Sequence, residues 1–212
     1  MTRLAAADLR LIVITDPHLA GERSLPDVIQ AALDGGAPAI QLRDKAANAA
    51  TLLAKASELV PLVRRYGARL FINDRVDVAI AAGADGVHLG PDDLPVAAAR
   101  RLAPDLLIGY STDDPHLARQ AERDGADYIG CGAVFGTRTK DVGDEAIGIS
   151  GLNAVADAVD IPVVAIGGVA PDNIRLVANS RASGAAVVGA VMTAVDPTTA
   201  VRALLHAFDG TE

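Results

Sequence analysis

The 212-residue sequence predicts an α/β protein, a single-domain (β/α)8 TIM barrel covering residues 1–212, on three observations. Eight short strand-like runs recur: Leu11–Thr15, Ala39–Leu42, Leu70–Asn73, Gly86–Leu89, Leu107–Ser111, Tyr128–Cys131, Val163–Ile166 and Ala185–Val188. A run that is apolar throughout is how a parallel strand buried on both faces reads. Between the runs lie segments of helical period, such as Leu52, Ala56, Leu59/Val60 and Val63, or Val201, Leu204/Leu205 and Phe208. No linker or low-complexity block interrupts the alternation, and eight βα units without a gap favour a closed barrel over a doubly wound sheet.

Local signals sharpen the elements in order. Ser24, with Asp27 three residues on, resembles a capping box ahead of the first helix. Pro61 falls inside the helical segment after the second strand, so a kink or an early end is expected there. Gly36-Ala37-Pro38, Gly83-Ala84-Asp85, Gly125-Ala126-Asp127 and Gly184-Ala185-Ala186 each read as a helix C-cap followed by strand entry. The connection from Gly132 to about Ser150 is the longest and carries Gly136, Gly143 and Gly148, the pattern of a lid after the sixth strand. The seventh and eighth strands run into Gly167-Gly168 and Gly189, where backbone N–H groups can approach an anion. Ala190–Thr193 could supply the short extra helix that completes a barrel phosphate site. Asp196-Pro197 places an N-cap before a proline at the first position of the last helix.

Composition narrows the function classes. A net charge of −8 with 3% aromatic residues argues against nucleic-acid and membrane-surface partners. The single Cys131 excludes an intrachain disulfide, and the N-terminal MTRLAAADLR lacks a signal-peptide h-region, so a reduced, cytoplasmic compartment is expected. No apolar run reaches the ~20 residues of a membrane span. Partners are expected to be small phosphorylated molecules, and the composition leaves room for a homo-oligomer.

In a barrel the residues at C-terminal strand ends converge on one mouth. Gln41, Arg43 and Lys45 alternate, so an extended backbone puts them on one face, where they can hold a diphosphate; a solvated cluster paired with Asp44 is the other reading. Asp74 and Asp93 lie one βα unit apart, with Asn73 beside them, and suit Mg²⁺, which takes oxygen ligands and shares them with phosphates. Asp92 is a rival ligand, and both aspartates read equally as helix caps. Thr137, Thr139 and Lys140 form an anion clamp on the lid, or an ordinary polar loop. Ser111 has no histidine nearby in sequence, which disfavours a nucleophile; His88 reads best as a hydrogen-bonded core residue and Cys131 as inert packing.

Taken in order, Gln41-x-Arg43-x-Lys45, Asn73-Asp74, His88-x-Gly90-x-x-Asp93, Ser111, Thr137-x-Thr139-Lys140 and Gly167-Gly168 resemble the thiamine-phosphate synthase family across nearly the whole chain. The resemblance implies a Mg²⁺-dependent transferase that joins hydroxymethylpyrimidine diphosphate to thiazole phosphate and releases pyrophosphate. It assigns Gln41, Arg43, Lys45 and Asn73 to the pyrimidine diphosphate, with Ser111 and Lys140 on the same side. Asp74 and Asp93 are assigned to the metal; Thr137, Thr139, Gly168, Val188 and Gly189 to the thiazole phosphate; and Arg43, Ser111 and Lys140 to catalysis. Three departures stand out: Gly136 where proline is common, Gly189 where a serine is common, and no acidic residue at Ser183-Gly184-Ala185. The related thiazole tautomerase uses a histidine in the loop after the sixth strand, and Gly132-Ala133-Val134-Phe135 has none. A non-catalytic phosphometabolite-binding barrel is the remaining alternative.

Overall fold

Strand and helix alternate along the chain, and the strands pair in sequence order until the last closes on the first. The structure, a computed structural model, describes residues 4–136 and 146–210. The strands are β1 (Leu11–Ile14), β2 (Ala39–Leu42), β3 (Arg69–Asn73), β4 (Gly86–Leu89), β5 (Leu107–Ser111), β6 (Tyr128–Cys131), β7 (Val163–Ile166) and β8 (Gly184–Val187), all parallel. The helices are α1 (Leu25–Asp34), α2 (Ala49–Arg65), α3 (Val76–Ala82), α4 (Val96–Leu102), α5 (Pro115–Arg123), α6 (Gly148–Ala156), α7 (Ile174–Ala178), α8 (Gly189–Met192) and α9 (Pro197–Asp209). Every strand matches its sequence expectation to within one residue at either end, and the extra helix expected at 190–193 is α8.

Continuous apolar strands are required because each one faces two cores. Along β1, Leu11 and Val13 join the larger core between barrel and helices, whereas Ile12 and Ile14 point into the barrel with Ala39, Phe71, Tyr128, Val164 and Ala186. The Ser24 hydroxyl accepts the Asp27 N–H at α1, and Asp196 accepts the Thr199 N–H ahead of Pro197 at α9, as the caps predict.

Two expectations change. Of the two outcomes expected at Pro61 the early end does not occur: α2 continues to Arg65, because Leu59, Val60, Leu62 and Val63 are all buried around it and that packing outweighs the ~3 kcal/mol a proline costs in a helix. Gly36, Gly83 and Gly125 do close helices at positive φ, but Gly184 is the first residue of β8. Its role is steric: a Cβ there would lie 1.8 Å from the Leu9 carbonyl oxygen, where the 3-10 turn Ala6–Leu9 plugs the N-terminal end of the barrel.

The same end explains the Gly-Ala-Asp repeat. Asp85 accepts the Leu70 N–H at 2.9 Å and pairs with Arg69, which also reaches Asp8. Asp127 accepts the Ile108 N–H at 2.7 Å and pairs with Arg100 at 2.6 Å. Each aspartate thus ties the entry of its own strand to the preceding one. Among the described residues no helix is long and apolar enough to cross a membrane.

Candidate active site

The opposite, C-terminal end gathers the described residues of the sequence motifs. Below it, inside the barrel, lies a small pocket lined by Gln41, His88 and Tyr128 among Ile12, Ile14, Val164 and Ile166. Gln41 is only 3% exposed, and its side chain lines this pocket. Its amide is the polar group that β2 presents to this otherwise largely apolar pocket, where a polar ligand can meet it.

Past Gln41 the chain is fixed by Thr15, which is fully buried: its hydroxyl accepts the Arg43 N–H at 2.8 Å and donates to the Arg43 carbonyl at 2.9 Å. The Arg43 guanidinium lies 3.7 Å from Asp16. Asp44 does not pair with its basic neighbours. It takes Lys55 of α2 at 2.6 Å and the N–H groups of Ala46 and Ala47, and the Lys55 hydrogen bond holds its carboxyl below the usual range. Lys45 therefore projects outward, 60% exposed, with its ammonium 3.6 Å from Asp74.

Asp74 is the one non-glycine residue among those described with a positive φ, 65°. Its N–H donates to the His88 carbonyl at 2.8 Å, which holds the left-handed turn. Asp93 folds back from β4, its carboxylate accepting the Gly90 N–H at 2.7 Å. Burial and then the adjacent Asp93 carboxyl push the Asp74 carboxyl above its ordinary value, while Lys45 pulls it down. Neither aspartate caps a helix: the N-caps of α3 and α4 are Arg75 and Pro95, and neither makes a side-chain cap bond. Asp92, the rival, is exposed. No group of three or more His, Cys, Asp or Glu placed to hold a metal occurs among the described residues.

Ser111 ends β5, and here the structure corrects the sequence: it has a histidine partner, His88 Nε2 at 2.8 Å, brought across from β4. His88 Nδ1 lies 2.9 Å from the Tyr128 hydroxyl. Sequence reasoning missed this chain of three, although two mid-strand glycines marked it. A Cβ at Gly109 would lie 2.2 Å from Tyr128 Cζ, and one at Gly130 2.9 Å from His88 Cε1. Cys131 faces the outer core, and burial, then the Asp113 charge, push its thiol up to about 12, which fits inert packing.

After β7, Gly167 and Gly168 both have positive φ, and Cβ atoms would lie 2.7 Å from Ala133 and 2.5 Å from the Gly136 carbonyl. Asn173 braces this turn, donating to the Gly168 carbonyl at 2.8 Å and accepting the Ala170 N–H. Val188 and Gly189 open α8, whose first N–H groups have no carbonyl within the helix. A Cβ at Gly189 meets nothing within 4 Å, so space for a serine is present. Thr137, Thr139 and Lys140 lie outside the described residues.

The mouth thus joins a basic strand end, an aspartate pair and two glycine turns, and its sequence matches a family model described as Thiamine monophosphate synthase over residues 11–191. The chain belongs to this family. Within the thiamine monophosphate synthase family it is 49% identical over 197 residues to the thiamine-phosphate synthase of Chloroflexus aurantiacus, covering 93% of this chain and 91% of that one. It is 47% identical to the enzyme of the same name from Pyrococcus horikoshii, covering 92% and 93%. Among solved structures, thiamine phosphate pyrophosphorylase from Pyrococcus furiosus superposes with a TM-score of 0.89 at 42% identity, over 97% of this chain and 98% of that one. A 3-hexulose-6-phosphate synthase at 20% identity and TM-score 0.70 shares the fold alone.

Proposed function

We propose that the protein condenses hydroxymethylpyrimidine diphosphate with thiazole phosphate, giving thiamine phosphate and pyrophosphate, in the cytoplasm. The family match over residues 11–191 carries the reaction; the arrangement at the mouth supports the roles of the described residues, and the resemblance in sequence those of Thr137, Thr139 and Lys140. Gln41 and Asn73 bind the pyrimidine end, and Arg43, Lys45, Ser111 and Lys140 bind the diphosphate. Thr137, Thr139, Gly168, Val188 and Gly189 hold the thiazole phosphate.

Asp74 and Asp93 fit Mg²⁺. Two carboxylates pressed together, one of them half-buried and shifted up by the other, form a hard-oxygen site that one lysine 3.6 Å away only partly neutralises. When bound, Mg²⁺ supplies charge neutralisation on the diphosphate oxygens.

The diphosphate departs from a benzylic-type carbon of an electron-rich aminopyrimidine, so the reaction needs leaving-group stabilisation and alignment of the thiazole nitrogen, and no protein nucleophile. Arg43, Lys45 and Lys140 stabilise the departing charge. The Gly168 and Gly189 turns fix the thiazole by its phosphate. Incubation of the protein with both substrates and Mg²⁺ is expected to yield thiamine phosphate and pyrophosphate in equal amounts. Interconversion of thiazole isomers without pyrophosphate, or binding of thiazole phosphate without either product, would overturn the reading.

A further inference from the structure

Inside the barrel, Tyr128, His88 and Ser111 stand in one hydrogen-bonded line that the reaction above does not itself require. Tyr128 is 1% exposed, and its hydroxyl lies 2.9 Å from His88 Nδ1. Two strands give up their side chains to make the room: Gly109 and Gly130 leave the space that the Tyr128 and His88 rings occupy. The Tyr128 ring is also held edge-on by Phe71 at 5.4 Å. Such a cluster is a fixed part of the interior, in register across β4, β5 and β6 through His88, Gly109 and Tyr128.

We propose that Tyr128 and His88 are positioning residues that fix the direction of the Ser111 hydroxyl, so that it donates to the substrate. A buried phenol must place its O–H on an acceptor, and Nδ1 is the acceptor it reaches. Burial, then the charge of Asp127, raise the phenol further and keep its proton on oxygen. With Nδ1 accepting, the ring proton sits on Nε2 and is donated to Ser111 Oγ at 2.8 Å. That interaction occupies a Ser111 lone pair and leaves the serine O–H to be donated elsewhere, toward a diphosphate oxygen. Without the tyrosine hydroxyl this hold on the tautomer is lost; in the other tautomer Nε2 accepts from Ser111 and turns its proton away from the substrate. The inference rests on the reading of Ser111 as a diphosphate contact.

The test combines a spectrum with kinetics. In ¹⁵N-labelled protein, with His88 resonances assigned by their loss in His88→Gln, the wild type is expected to show the Nε2–H tautomer before any substrate is added. Tyr128→Phe, which keeps the ring against Phe71, is expected to shift the population toward Nδ1–H and to lower kcat roughly tenfold with little change in KM, the effect of one misdirected hydrogen bond to a charged group. In a Ser111→Ala background the same substitution should cost nothing further. An Nδ1–H tautomer in the wild type would overturn the first link. A Tyr128→Phe loss that persists undiminished in Ser111→Ala would overturn the second. Unchanged kinetics in Ser111→Ala would remove the diphosphate contact itself, an outcome separate from the tautomer read in the substrate-free protein.

Discussion

The two ends of the barrel carry similar residues put to opposite uses. At the N-terminal end, Asp85 and Asp127 each meet a backbone N–H and an arginine, and Arg69 meets both Asp8 and Asp85. At the C-terminal end, Asp74 meets another carboxylate, with a largely exposed lysine as its cation. At one end each aspartate is matched by an arginine and a backbone N–H; at the other, two adjacent carboxylates share one exposed lysine, a balance that added positive charge would complete. A barrel separates stability from chemistry in this way because its strands have two ends with independent loops.

The largest effects should fall at the mouth. Asp74→Asn and Asp93→Asn are each expected to lower kcat/KM by ~10³-fold, about 4 kcal/mol of transition-state stabilisation, measured against Mg²⁺ concentration. Wild-type Mg²⁺ dependence in either variant would return that aspartate to a structural role. Lys140→Ala should cost ~10²-fold, about 3 kcal/mol, chiefly in kcat; a change confined to KM would assign the lysine to uniform substrate binding.

At the other end the currency changes from rate to stability. Asp85→Ala strips Leu70 N–H of its acceptor and Arg69 of one of its two carboxylates, and about 2 kcal/mol of unfolding free energy should be lost with kcat intact. A fall in kcat at constant folded fraction would break the separation of the two ends. A smaller effect distinguishes Asp44 within the mouth itself. Its carboxyl is depressed by Lys55, so its contribution to stability is present above the ordinary carboxylate pKa and fades as pH falls through the lower folded value. Asp44→Asn should therefore lower the melting temperature at pH 7 and converge with the wild type under strong acid; equal destabilisation at both pH values would contradict the pairing.

The strands were legible because burial on both faces leaves an unbroken apolar signature, as in Leu11–Ile14 and Val163–Ile166. The helix through Pro61 was not, because its survival depends on what Leu62 and Val63 pack against. The motif residues were readable one by one; the contacts that assemble them were not. Nothing in the order of residues says that Asp44 belongs to Lys55 and leaves Lys45 near Asp74, or that His88 of one strand meets Ser111 of the next. Those outcomes depend on register and on the two glycines, Gly109 and Gly130, whose missing side chains are visible in sequence but not what fills the space.

The central claim, that the mouth is held incomplete for a ligand, meets its most direct test in the melting temperature of wild type and Asp74→Asn at pH 7, with and without Mg²⁺ and pyrophosphate. A carboxyl whose folded pKa is raised contributes stability below its unfolded pKa and loses it as pH rises through the folded value, so at pH 7 the Asp74 charge works against folding. Removing that charge should raise the melting temperature of the ligand-free protein and abolish most of the further rise that Mg²⁺ with pyrophosphate gives the wild type. A variant that melts lower than the wild type without ligand, and still gains the full rise with it, would contradict the account.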